Sequence, residues 1–227
     1  MTRIPESLFA MLILAVSYLT AQTMPPPQPG ISVEMAVTEH AQPMPEADDA
    51  NAWVVTIDRF GTIYFRANQT NIVELANWIR SHPHSPDAKL YIKADTGVAF
   101  AIVREVLDAG REAGFDTPVM LTSQTTRPST ERLVLPMGVS VRMGQAMDKD
   151  SVVAEVTKTN QPSPALKINN QRIPASAFAS TLSAVLQART DKTVFLKADD
   201  RLLFSQVVQV IDVCRSIGAN IAVSALK

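Results

Sequence analysis

The chain has 227 residues, with 21 basic and 22 acidic side chains and 46% hydrophobic content. Net charge is near zero and no Lys/Arg cluster interleaves with aromatics, which argues against a nucleic-acid surface, while the apolar content suffices for one large core or two small ones. The lone cysteine, Cys214, excludes an internal disulfide framework and a Cys-based zinc site.

In chain order, the first feature is the uncharged stretch Ser7 to Met24, which runs into "PPPQPG". As a helix its eighteen residues extend about 27 Å, slightly under the roughly 30 Å hydrocarbon core. Two readings stay open: a membrane anchor spanning 1–24, or a signal segment cleaved near Leu19-Thr20-Ala21. Either directs the remainder of the chain across a membrane, leaving Arg3 inside. Residues 25–50 read as a Pro-rich linker, extended where prolines remove amide donors, with "ISVEMAV" alternating well enough for a short strand.

A first module is expected over 51–124. "WVVTIDRFGTIYF" predicts two strands around a hairpin turn in which Gly61 takes positive φ. Ile72, Leu75, Ala76 and Ile79 recur at helical spacing, and "SHPHSP" ends that helix. "KLYIK" predicts a strand, Asp95 a helix cap, Ala99, Ile102, Val103, Val106 and Gly110 one helix face, Gly114 its stop, and "PVMLT" a last strand.

The pattern then recurs. Placing Asp95 on Asp199, an offset of 104, also puts Val103 on Val207, Val106 on Val210, Asp108 on Asp212, Arg111 on Arg215 and Gly114 on Gly218. Ile57 and Ile63 are matched to Ile168 and Ile173 across small gaps, the Phe178, Leu182, Val185 face to the first helix, and "GISVEM" at Gly30 to "GVSVRM" at Gly138. A period near a hundred residues means a tandem domain duplication. The second module is placed at 138–227, after a charged connector over 125–137 with no apolar run. The fold class expected is α+β: two tandem ββαβαβ modules, each a sheet packed on two helices, preceded by one N-terminal hydrophobic helix.

The order of these pieces resembles the ExbD/TolR family: an apolar segment, "PQPGISVEM", "VVTIDRFGTIYF", a helix, "LYIKAD", a second helix and "AGFDTPVMLT". The resemblance covers Ile4 to about Ser123, and Gly138 to Lys227 as a second copy without a membrane segment. It implies a single-pass inner-membrane subunit with its modules in the periplasm, supporting biopolymer transport coupled to the proton-motive force. The implied partners are an ExbB/TolQ-like membrane protein and a TonB/TolA-like protein or peptidoglycan. No nucleic acid is implied, and no cofactor. Members usually carry a membrane Asp three residues after a proline, but here that position is Leu8, and no Asp precedes Asp48. An ionisable group in a membrane helix is costly and is usually there for function. The absence of that Asp removes the most direct argument for proton conduction. Glu6, the only acid within a turn or so, is the proton-carrier candidate at the cytoplasmic mouth of such a path, against a plainer reading as an interfacial acid beside Arg3. The rival function is a non-motor periplasmic binding module delivered by a signal peptide.

The other polar residues read as structural. Asp95 and Asp199 are expected to cap helices, and Lys93 and Lys197 to face outward at a sheet edge. Asp108 with Arg111, and Asp212 with Arg215, are expected as i,i+3 pairs. His82 and His84 lack a third donor nearby, so no metal site is expected, and His40 sits alone in the linker. Nothing in the chain reads as catalytic, and Cys214 reads as a buried apolar residue. The duplication predicts that the two modules pack together as a pseudo-dimer within one chain, with a homodimer as a further possibility.

Overall fold

The computed structural model describes residues 31–124, 135–144 and 150–224. The apolar segment 1–24 and Glu6 lie outside them, as does most of the connector. No helix among the described residues is long and apolar enough to cross a membrane.

Among the described residues strands β1 to β13 form two sheets, accompanied by helices α1 to α4. The first sheet has the order β1 (Gln42–Pro43), β7 (Met137–Ser140), β6 (Val119–Thr122), β5 (Leu90–Ala94), β2 (Trp53–Ile57), β3 (Ile63–Phe65), β4 (Asn68–Thr70). The second has the order β11 (Gln171–Ile173), β10 (Ala165–Ile168), β9 (Val152–Thr157), β12 (Thr193–Ala198), β13 (Asn220–Val223), β8 (Arg142–Met143). The first holds a parallel trio, β2-β5-β6, and the second a parallel set of four, β9-β12-β13-β8, each with an antiparallel meander on one side. Parallel neighbours need a crossover, and α1 (Ile72–Ser81) and α2 (Phe100–Glu112) supply it in the first module, α3 (Ala175–Gln187) and α4 (Phe204–Ser216) in the second. Gly114 and Gly218, at φ +98° and +75°, end α2 and α4 in the left-handed conformation that glycine tolerates best.

The topology corrects part of the repeat. Val55 pairs with Ile92 in the first sheet and Ala154 with Leu196 in the second, so the mate of β2 is β9 and Ile57 corresponds to Val156. Ile168 and Ile173 belong to the next strands, β10 and β11. The displacement arises because the turn after β9 is longer than Asp58–Gly61, which pushes the meander along the chain. The approach segment "ISVEMAV" also differs from expectation: it makes only isolated bridges, Met35 to Asp95 and Val37 to Ser123.

One stretch serves both sheets. Met137–Ser140 runs antiparallel to β6, and two residues later Arg142–Met143 runs parallel to β13. The inner cores are continuous as well, Phe100, Val103 and Leu107 sharing one cluster with Phe204, Val207 and Ile211. Cys214 is buried in it, and burial pushes its thiol up to about 12.

The outer faces of the two sheets differ. In the first, residues 42–52 lie across the face as a strap whose Met44, Ala47 and Ala52 pack on Val54, Tyr91, Val119 and Leu121. Every residue of β5 is consequently buried, whereas β12 alternates buried with half-buried positions, as a sheet with one wetter face does.

Candidate functional site: the seam between the modules

The two Lys-Ala-Asp turns meet. Phe100 N–H donates to the Leu202 carbonyl and Phe204 N–H to the Val98 carbonyl, both at 2.8 Å. Ala101 N–H donates to Asp200 at 3.1 Å and Ser205 N–H to Thr96 at 3.2 Å. Ala99 bridges Leu203 antiparallel between them. Each donor and acceptor has its mate at the same offset of 104, so the contact is self-complementary, as a twofold interface must be.

These bonds answer a need of the helices. The first N–H groups of an α-helix have no partner within it, and no N-cap side chain accepts from them at α2 or α4, Gln206 Oε1 reaching back only to the Leu203 N–H at 3.0 Å. Carbonyls of the opposite module do so instead. The expectation that Asp95 and Asp199 cap the helices is therefore corrected, since both carboxylates fold back on their own turns. Asp95 accepts from Gly97 N–H at 3.0 Å and Glu34 N–H at 3.3 Å, tying the turn to the incoming chain. Asp199 accepts from the Arg201 backbone and guanidinium and from Lys158 N–H. The Arg201 hydrogen bonds, before any other cause, hold its carboxyl well below the usual carboxylate range.

Side chains break the symmetry at the seam. Arg104 on α2 reaches Asp200 in a bidentate pair, Nε to Oδ1 and Nη2 to Oδ2, each 2.7 Å. Asp108 lies 3.5 Å from Arg104 and 3.9 Å from Arg111. The corresponding Asp212 does not pair with Arg215 as expected. It accepts the backbone N–H groups of Glu39 and His40 at 2.9 Å, with His40 Nδ1 at 3.3 Å, so the second module holds the first module's approach segment. Arg215 donates instead to the Ser140 carbonyl.

Lys93 overturns its expectation. It lies on the central strand β5, 6% exposed, beneath the strap, beside Thr56 whose Oγ1 is buried without a partner. Burial pulls its ammonium below the usual lysine range and Asp48 offsets part of that. Lys197, on the half-buried face of β12, keeps Glu155 as strand neighbour. Burial of the Lys93 ammonium costs stability, so Lys93→Met is expected to raise the unfolding free energy by about 1 kcal/mol in urea denaturation. A loss of stability would show that the ammonium holds the strap.

Two of the histidines pack on aromatic rings. His82 stacks on Trp78 at 4.0 Å, and His84 stacks on Phe115 at 4.1 Å while its Nε2 lies 2.9 Å from the Ala113 carbonyl. No group of three His, Cys, Asp or Glu residues among the described residues could hold a metal ion.

Sequence reasoning missed Arg104 and Asp200. The signal was present in the mismatches of the repeat: at the offset of 104, Arg104 corresponds to Val208 and Asp200 to Thr96. Fold and seam together define a protein built from two copies of one α+β module, joined through the carboxyl ends of their parallel strands. A family model described as biopolymer transport protein ExbD/TolR matches residues 8–123 and again 117–225. The chain belongs to the ExbD/TolR family, in a tandemly duplicated form. Neither the curated proteins nor the solved structures contain a match.

Proposed function

We propose that this chain is a membrane-anchored, periplasm-facing ExbD/TolR-type subunit that supports proton-motive-force-coupled biopolymer transport or envelope energisation. The observation that carries the reading is the double match to the family, with an apolar segment before the first copy alone. In this reading residues 7–24 dock with the helices of an ExbB/TolQ-like partner in the inner membrane. The paired modules then engage a TonB/TolA-like protein or peptidoglycan. Its chemistry is binding and force transmission, without a cofactor or a catalytic residue.

A second reading is favoured by Leu8, which stands where the family places its membrane Asp. There the chain is a periplasmic binding module that kept the outer fold and lost the motor. Two measurements separate the readings. Alkaline carbonate extraction should leave the full chain in the membrane, whereas a released chain beginning near Gln22 rejects the anchor. In a complex reconstituted with its membrane partner, proton flux should appear and should fall sharply with Glu6→Gln. Flux unchanged by that substitution removes Glu6 as carrier, and zero flux in the parent chain rejects the motor.

A further inference from the structure

We propose that the Arg104–Asp200 pair is a recognition element by which the two modules of one chain choose each other over the like module of a second chain. The partner for which this seam is built is then the companion module, and the outer unit closes within a single chain.

The argument starts from what the seam cannot distinguish. The four backbone hydrogen bonds join Phe100 to Leu202, Phe204 to Val98, Ala101 to Asp200 and Ser205 to Thr96. They involve main-chain atoms related by the repeat, so any two modules docked this way would form them. The apolar residues are equally permissive: Val98 corresponds to Leu202, and Phe100 to Phe204, all buried. Backbone and core alone would therefore let first modules pair with first modules, and second with second.

Charge at one corner discriminates. In the observed pairing, the Arg104 guanidinium makes two 2.7 Å bonds to the Asp200 carboxylate, and the symmetry-related corner carries only Thr96 and Val208. Two first modules would set Arg104 against Thr96 at both corners. The side chain of Arg104 is only 17% exposed, so the guanidinium would lose its bidentate carboxylate where water replaces it poorly, keeping only Asp108 at 3.5 Å. Two second modules would set Asp200 against Val208 at both corners, leaving the carboxylate, 41% exposed in the observed pairing, without its guanidinium. Only the mixed pairing brings the guanidinium and the Asp200 carboxylate together, which is how bidentate Arg–carboxylate pairs set partner choice. Asp212 acts in the same direction, because it holds Glu39 and His40 while its counterpart Asp108 sits between Arg104 and Arg111.

The test uses full-length chains carrying two different affinity tags, solubilised in detergent and mixed. Arg104→Asp sets two carboxylates against each other within a chain, and Asp200→Arg sets two guanidiniums together. A chain of each kind can satisfy all four groups only by exchanging modules with the other. The expected result is co-purification of the two variants at a 1:1 ratio, roughly tenfold or more above the mixed parent chains, because opposed like charges cost several kcal/mol. The chain carrying both substitutions should return to the parent's low exchange, which also controls for variants that fail to fold. Folded variants that exchange no more than the parent overturn the proposal. So does a doubly substituted chain that still exchanges like the single variants.

Discussion

Phe100→Ala is expected to lower the unfolding free energy of the full chain by about 4 kcal/mol, and Phe204→Ala by a similar amount, the usual cost of removing a buried phenylalanine. The two rings are 1% and 0% exposed and open the two helices whose N–H groups bond across the seam. They lie in one core cluster, so the double variant should show a coupling of about 0.5–3 kcal/mol. The native probes make the test sharp. Trp53 and Trp78, the only tryptophans, both sit in the first module, so their fluorescence reports its unfolding alone, while circular dichroism reports the helices of both modules. Phe204→Ala, made in the second module, should move the tryptophan midpoint as far as the dichroism midpoint. A tryptophan transition that stays in place would mean that the modules unfold independently.

Gly138→Val should be the second large effect, a loss of about 3 kcal/mol, the upper range for overpacking. A Cβ at this position would stand 2.6 Å from Val119 Cγ1, 3.1 Å from Met44 Cγ and 3.3 Å from the Met120 carbonyl oxygen. The carbonyl belongs to a central strand and cannot yield, so β7 or the strap must move. The strap is the weaker of the two, since β1 holds only two register positions, Gln42 to Gly138 and Pro43 to Met137. Its displacement would expose Met44 and uncover Lys93. Peroxide oxidation of Met44, read by mass spectrometry, should accelerate several-fold in Gly138→Val relative to the parent chain. Unchanged oxidation together with unchanged stability would show that β7 has slack.

Much of the fold is legible in the residues alone. Helical spacing locates α1 and α2, the Asp58–Gly61 turn is placed by its residues, and Gly61 has φ +82°. The duplication is legible because α2 and α4 align without gaps. The meander aligns badly, since unequal turn lengths hide the match between β2 and β9. Lys93 is misplaced for a different reason. Alternation along "LYIKA" indicates which side chains share a face but not what lies over that face, and the cover comes from residues 42–52, some forty positions earlier. The aspartates of the two turns are misjudged because capping is a local rule. It is overridden by carbonyls that reach the helix ends only through the seam.

The residues of this chain by themselves determine that it is a duplicated α+β module of the ExbD/TolR kind, with an apolar segment ahead of the first copy only. Periodicity and turn chemistry act over a few residues and are written directly in the chain. Tertiary structure decided the rest: the carbonyls that cap α2 and α4, the stretch 137–143 whose two strands join different sheets, the strap over Lys93 and the meeting of Arg104 with Asp200. Each depends on groups far apart in sequence becoming neighbours, and burial then decides whether a charge there is a cost, as at Lys93, or a basis for choosing a partner, as at Arg104.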